Sequence, residues 1–255
     1  MKRDSTKQTW DYFWERKQQV EDVYSNVDRI INNLKQITHL KNKKVLEVGA
    51  GTARDSFELV REGANVYVLD YSPLAMKIIS RLNQSRQENI CPILGDAFSM
   101  PIADESFDIV FHQGLLEHFT EPLKILAENV RVLKKGGILL VDVPQKYHVY
   151  TLIKHILIFF NKWFAGWETE FTINQLQQLV EQTGVTVIFR YGAWMRPSLF
   201  YRIIREILLK TKIKLPLYPQ GFKPVRKIRD AAQKRFITSN WSFYTFLDIG
   251  IIAKK

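Results

Sequence analysis

One cysteine, Cys91, is all that the 255 residues contain, which excludes an internal disulfide framework and any zinc cluster of paired cysteines. Placed just before an apolar stretch, Cys91 reads as a small core residue and not as a nucleophile. Long apolar runs are also missing. The longest, Ile156–Phe160 with its neighbours, falls well short of the ~20 residues that a membrane-spanning helix needs. The opening MKRDSTKQTW is charged and polar and has no signal-peptide core. These absences lead to the expectation of a cytoplasmic protein without a metal, able to touch a membrane from the cytoplasmic side.

Acidic residues are short in one place only. Between Arg190 and Arg235 stand thirteen Lys/Arg against two acids, Glu206 and Asp230, and 24 residues of each sign remain elsewhere. The formal net charge of +11 therefore belongs to one late segment, and whatever it does it does locally. What the chain does have is core material. With 46% apolar and 25% charged residues, it fits one large α/β domain, with or without a subsidiary cap.

Along the first forty residues, Val20, Val23, Val27, Ile30, Ile31, Leu34 and Ile37 recur at helical spacing, after an aromatic cluster of Trp10, Tyr12, Phe13 and Trp14. From Lys43 strands and helices alternate. The strands are predicted at Lys44–Val48, Ala64–Asp70, Ile90–Leu94, Phe107–His112, Gly137–Val143, Val185–Tyr191 and Ser242–Ala253. Helices are predicted at Ala53–Glu62, Pro73–Gln84, Pro122–Leu133 and Thr172–Thr183, with Gly63, Gly136 and Gly184 where three of them stop. Such alternation implies a mostly parallel sheet with right-handed crossovers and helices on both faces. The domain reading is a helical segment over 1–42 and one domain over 43–255, interrupted at about 144–170 and 195–240.

The first strand runs KKVLEVGAGTARDS, so Glu47, Gly49 and Gly51 fall where an apolar strand turns into a helix. Glycines there let a backbone approach a bound ligand without a Cβ in the way. A lone Gly-x-Gly is weak. Asp70, closing VYVLD about twenty residues on, strengthens it, because an acid at the tip of the second strand can accept both ribose hydroxyls of an adenosine ligand. A nicotinamide cofactor would suit that pair too. Three features separate the two. Asp55 and Ser56 stand where a Gly-x-Gly-x-x-Gly would need glycine or alanine, GDAFSMPIADESFDIVFHQGLLEHF follows the third strand, and RVLKKGGILLVDVP lies downstream.

Together these motifs resemble the class I S-adenosylmethionine-dependent methyltransferases, in particular the subgroup related to ubiquinone/menaquinone-biosynthesis methyltransferases. The resemblance covers Lys43–Pro144 strongly, and Phe171–Tyr191 and the last strand more weakly. It implies a Rossmann-like sheet of seven strands, order 3-2-1-4-5-7-6, with the seventh antiparallel. It also implies residue roles toward S-adenosylmethionine. Glu47 would support the glycine turn and the cofactor's amino group, and Gly49, Ala50 and Gly51 would line the methionine part. Asp70 would bind the ribose, with Tyr71 against the adenine. Asp96 would accept from the adenine N6 and the Ala97 backbone donate to N1, with Phe98 packed nearby. Gln113 would touch the methionine part, and Arg54 would reach its carboxylate. One departure is Ala53, which stands where the third glycine of the family's turn is usual; alanine is tolerated at many such turns.

Methyl transfer from a sulfonium is an in-line displacement that needs alignment and exclusion of water. A base is needed only where the acceptor must lose a proton. His118, in LLEHF after the fourth strand, and His148, in PQKYHVY after the fifth, are the candidates, because both lie toward the carboxyl edge of the sheet. Each also has a plainer reading, as a packed histidine and a loop residue. His39 and His155 read as structural, and His112 sits in a buried strand.

Both interruptions leave the sheet at that same edge, so they are expected to overhang the cofactor as a substrate cap. In LFYRIIREILLKTK, Leu199, Phe200, Ile203, Ile204, Ile207 and Leu208 fall on one helical face, and Arg202, Arg205, Glu206, Lys210 and Lys212 on the other. Such a helix lies on an anionic membrane, packs as a lid or binds a partner, unless its apolar face simply sits on the domain with the basic face in water. TLIKHILIFFNKWFAGW adds a second apolar, aromatic-edged surface. The expected acceptor is therefore a small-molecule or lipid-like, anionic compound, with an anionic membrane surface as a partner. Two alternatives stand beside it. One is RNA methylation through the basic cap, against which the stretch HQGLLEH shows none of the Asn/Asp-Pro-Pro-Tyr/Phe pattern of base N-methylation. The other is a non-catalytic S-adenosylmethionine-binding protein, against which the intact Asp70 and Asp96 argue.

Overall fold

The computed structural model describes residues 28–160, 163, 165, 168–219, 223–237 and 240–255, with Trp10 and Glu15. The predicted aromatic cluster beyond Trp10, and Val20, Val23 and Val27, lie outside the described residues. The described chain runs α1 (Arg29–Ile37), β1 (Lys44–Val48), α2 (Arg54–Arg61), β2 (Asn65–Asp70), α3 (Pro73–Arg86), β3 (Cys91–Leu94), β4 (Phe107–Gln113), α4 (Pro122–Val132) and β5 (Leu133–Pro144). It continues through α5 (Val149–Phe159), α6 (Ile173–Glu181), β6 (Thr186–Ala193), α7 (Leu199–Lys210), α8 (Lys223–Ile237) and β7 (Asp248–Lys254), with single 3-10 turns at Leu116–His118 and Asn240–Tyr244.

The strands form one seven-stranded sheet in the order β3-β2-β1-β4-β5-β7-β6. Pairing is parallel from β3 to β5, and β7 runs antiparallel to both its neighbours. This is the Rossmann-like architecture and strand order that the resemblance implies. Two apolar clusters cover the sheet. One takes Ile125 and Leu126 of α4 with Leu176 and Val180 of α6, and the other Ile30, Ile31 and Leu34 of α1 with Phe57 of α2 and Ile79 of α3. A nine-residue helix such as α1 is marginal by itself in water. Three fully apolar side chains buried at roughly 1.5–3 kcal/mol each are what seats it.

Local signals set the helix ends. Ser72 accepts from the Ala75 N–H and Pro73 opens α3, while Thr172 and Gln175 form a reciprocal capping box on α6. In the β6–β7 pair two rings lie over glycines of the neighbouring segment. A Cβ on Gly250 would meet Tyr191 Cζ at 2.0 Å, and one on Gly192 would meet Phe246 Cδ2 at 1.9 Å. Before that contact Asn240–Tyr244 forms a 3-10 turn, and β7 starts at Asp248 and not at Ser242.

One core expectation fails. Cys91 is exposed, because it opens β3, an edge strand that pairs with β2 alone and is solvated along most of its length. The buried apolar residue of that stretch is its neighbour Ile90.

Candidate functional site

β1 lies between β2 and β4, so successive crossovers leave it in opposite directions, and a crevice opens at the carboxyl ends of these strands. The chain turns there through three left-handed residues, Gly49 (φ 69°), Gly51 (φ 54°) and Ala53 (φ 55°). The Gly49 and Ala50 N–H groups donate to Leu69 O at 2.8 and 3.2 Å, tying the turn to β2. Gly49 is also a close approach: a Cβ there would stand 2.6 Å from Leu115 Cδ1, in the turn after β4. Ala53 supplies without glycine's freedom the backbone that the third glycine would have supplied.

Asp70 braces this turn. Its Oδ2 accepts from the Gly51 N–H and its Oδ1 from the Ser72 N–H, each at 2.9 Å. The cap reading and the ligand reading of Asp70 are thus compatible, because a carboxylate offers about four acceptor sites. Tyr71 follows, partly exposed. At the end of β3 stand Asp96, Ala97 and Phe98. Asp96 is exposed and spends Oδ1 on the Phe98 N–H at 2.9 Å; Ala97 is buried; Phe98 packs edge-on against Phe119 at 5.2 Å.

Behind the turn lies a line of buried polar groups. Glu47 is 3% exposed and accepts from the Ser56 hydroxyl. Burial, with Asp55 adding to it, pushes its carboxyl up to about 8, so it holds a proton at neutral pH. Asp55 accepts from Gln113 Nε2 and lies 3.6 Å from Arg54 Nη2. Gln113 Oε1 in turn accepts from Arg29 Nη2 at 3.2 Å, and Arg29 pairs with Asp142 at 2.8 Å and with Asp248. The line therefore runs from β7 through β5 and β4 to the first turn of α2, and Arg29 is its hub. Burial opposes the Arg29 charge, but Asp142 and Asp248 outweigh it and hold the guanidinium protonated. Burial also pushes Asp142 up to about 7 against the pull of Arg29.

The two candidate histidines are placed differently. His148 is the N-cap of α5, its Nδ1 accepting from the Tyr150 N–H at 3.1 Å. Burial lowers its pKa, with Asp248 opposing. His118, in the 3-10 turn after β4, is 5% exposed, with the Trp10 ring 4.9 Å away edge-on. Its Nδ1 has no hydrogen-bond partner and lies 3.9 Å from Glu168 Oε1. Burial pushes it down to about 4, against the pull of Glu168. At neutral pH it is an uncharged imidazole, able to accept a proton but a weak base.

Around His118 sits a charge cluster that the sequence did not announce. Lys154 is 2% exposed and pairs with Glu168 at 2.7 Å and Glu170 at 2.8 Å. Trp163 Nε1 donates to Glu168 Oε1 at 2.7 Å. Glu117, 2% exposed, leaves Oε2 without a partner, and burial followed by Glu168 raises its pKa well above the usual carboxylate range. Lys154 breaks the run TLIKHILIFF, which is the one visible hint. The N-terminal segment gave no hint of Arg29, whose partners lie 84, 113 and 219 residues away.

Comparison with known proteins agrees with this geometry. Residues 46–141 match a family model described as a methyltransferase domain. The demethylmenaquinone methyltransferase of Renibacterium salmoninarum is 41% identical over 99 residues, 39% of this chain and 40% of that protein. That of a Mycobacterium species is 35% identical over 118 residues, 45% of this chain and 49% of that protein. The chain thus matches less than half the length of these curated relatives. Among solved structures, magnesium protoporphyrin IX methyltransferase from Synechocystis superposes with TM-score 0.59 at 15% identity, covering 72% of this chain and 88% of that one. That likeness is one of fold.

Proposed function

We propose that this chain, whose residues 46–141 carry a methyltransferase domain, transfers the methyl group of S-adenosylmethionine to a small-molecule, lipid-like, anionic acceptor. The observation that carries the reading is Asp70, which holds the glycine turn by one oxygen and the start of α3 by the other at the sheet's switch point. Bound S-adenosylmethionine supplies an electrophilic methyl on a sulfonium. Asp70 accepts the ribose hydroxyls and Tyr71 stacks on the adenine. Asp96 Oδ2 accepts from the adenine amino group, the Ala97 N–H donates to the ring, and Phe98 closes that side. Gly49, Ala50 and Gly51 leave room for the methionine part, Gln113 touches it, and Arg54 reaches its carboxylate. Glu47, protonated, supports the turn from beneath.

His118 is the better placed of the two candidate bases, because His148 already spends its Nδ1 on the α5 backbone. The described residues within 144–170 and 195–240 form the cap that shuts water from the reacting atoms, and the acceptor is met at an anionic membrane surface. Thermal melting with S-adenosylmethionine, S-adenosylhomocysteine and NAD tests the premise. The two sulfur ligands raise the midpoint and NAD leaves it alone; no shift with either sulfur ligand removes the cofactor assignment.

A further inference from the structure

Two cap helices are turned inside out. In α5 the buried side chains are Thr151 and Lys154, while Val149 (60% exposed), Leu152 (63%), Ile156 (51%) and Phe159 (80%) face outward, with Phe160 beyond the helix end. Their spacing of three, seven and ten residues from Val149 makes them one stripe. In α7 no residue is buried, and Phe200, Ile203 and Ile207 form a second exposed stripe. The basic residues expected to point at solvent there divide. Arg202 turns in to Pro197 O and Arg196 O, and Arg205 to Leu215 O, whereas Lys210 stays exposed three residues past Ile207 on the stripe's own face.

The rotation of α5 is fixed by chemistry and not by a gap in packing. Lys154 can neutralise Glu168 and Glu170 only if it points inward, and the apolar stripe then points out. Arg202 of α7 lies within electrostatic reach of Tyr150 and His148 at the start of α5. Solvent is the wrong medium for such stripes, and contiguous exposed apolar surface marks an interaction site. Charge says with what. Lys210, Lys212 and Lys214 are exposed beside the exposed Ile213, no acid pairs with them among the described residues, and the segment they belong to holds thirteen basic residues against two acids.

From this we infer that the outward faces of α5 and α7, with the lysines after α7, dock on the surface of a lipid bilayer containing anionic headgroups. The apolar stripes enter the headgroup–acyl boundary and the lysines sit among the phosphates. No helix among the described residues is long and apolar enough to cross, so the contact is with one leaflet. A second copy of the chain is the less fitting occupant, because two such basic segments repel. The inference gives the membrane contact of the proposed function its residues. It stands on exposure and charge, so it survives if the cofactor assignment falls.

Co-sedimentation with vesicles tests it, using equimolar phosphatidylglycerol and phosphatidylcholine against phosphatidylcholine alone. The full chain binds the anionic vesicles, binds the neutral ones at least about tenfold less, and releases in high salt. Leu152→Ser/Ile156→Ser/Phe159→Ser and Lys210→Glu/Lys212→Glu/Lys214→Glu each lower anionic binding about a hundredfold. Both variants replace exposed side chains and keep the wild-type far-UV circular dichroism and ligand-free melting midpoint, which separates lost docking from lost folding. Equal binding to both vesicle types, or wild-type binding by either variant, overturns the inference. So does a wild-type dimer in sedimentation velocity that the serine variant converts to monomer, or retention by RNA in place of vesicles.

Discussion

In β1 the four buried residues are Val45, Leu46, Glu47 and Val48, three of them aliphatic; in α5 the two buried residues are Thr151 and Lys154, and the aliphatic ones are outside. One is a sheet strand whose carboxyl end runs into the glycine turn, and the other is a helix of the proposed cap. In the sheet, apolar burial is the driving term; Glu47 and Asp142, kept inside, are each held by a neighbour, whereas His112 is buried with neither ring nitrogen hydrogen-bonded among the described residues. In the cap the order is reversed. Ion pairs decide which side of α5 faces in, and the apolar stripe is left for whatever lies outside. The sheet thus covers its own apolar residues, whereas α5 leaves an apolar stripe exposed, which the proposed membrane contact would cover.

The largest way to break this contrast is Lys154→Met. It keeps the bulk and removes the charge, leaving Glu168 buried without a cation and Glu170 with His155 Nε2 alone. A loss of about 3–5 kcal/mol is expected in denaturant unfolding, with partial recovery when Glu168→Gln is added. If the single variant is as stable as wild type, the ion pairs do not orient α5. The matching test in the sheet is Asp70→Ala. It strips acceptors from the Gly51 and Ser72 N–H groups, at roughly 1.5–3 kcal/mol for each hydrogen bond to a charged group. It should also abolish S-adenosylhomocysteine binding in calorimetry; binding at wild-type affinity would remove Asp70 from the ribose.

Proton linkage sharpens the comparison. Glu47 has its carboxyl raised from 4.5 to about 8, so the folded chain retains a proton that the unfolded chain sheds. Its contribution to stability is full below about pH 4.5 and is lost as pH rises through about 8. Glu47→Gln, which can still accept from Ser56, flattens that slope in pH-resolved melting curves. His118 works in the opposite sense. Its pKa is lowered from 6.5 to about 4, so its contribution is present above 6.5 and lost as pH falls through about 4. His118→Gln should therefore lessen the acid-side decline and leave the alkaline side alone.

What the sequence disclosed divides along the same line. The sheet was legible because parallel strands buried on both faces read as aliphatic runs, and because Gly49, Gly51, Asp70 and Asp96 occur at spacings that the turn geometry demands. Most helix ends followed from capping residues and glycines, whereas the strand order came from the family resemblance and not from the run of residues. Arg29 was not legible, since a single arginine before Ile30 and Ile31 looks like any solvated position until Asp142 and Asp248 are folded against it. Glu117, Lys154, Glu168 and Glu170 were hidden for the same reason: an ion pair is a fact of three-dimensional distance. Periodicity found the apolar stripe of α7 but put Lys210 on the wrong side of it and could not say which face is exposed, because it assigns neighbours along a helix and not the medium opposite. Cys91 was misplaced because an edge strand and an inner strand look alike in a short run.

The smallest expected effect concerns the one residue that breaks the family's glycine pattern. Ala53 is fully buried and has φ 55°, a conformation that costs a residue with a Cβ roughly 1–2 kcal/mol. Ala53→Gly relieves that cost. It also removes a packed methyl, worth about 0.8 kcal/mol, and adds freedom to the unfolded chain worth about 0.4–1 kcal/mol. These terms nearly cancel, so stability should move by less than about 1 kcal/mol in either direction. Ala53→Val has no such compensation: its branched Cβ is strained at positive φ and crowds the buried start of α2, so it should destabilise by more than Ala53→Gly in either direction. Equal stability for the valine and glycine variants would mean that the turn has already relaxed away from the left-handed backbone, and with it the cradle on which the cofactor assignment rests.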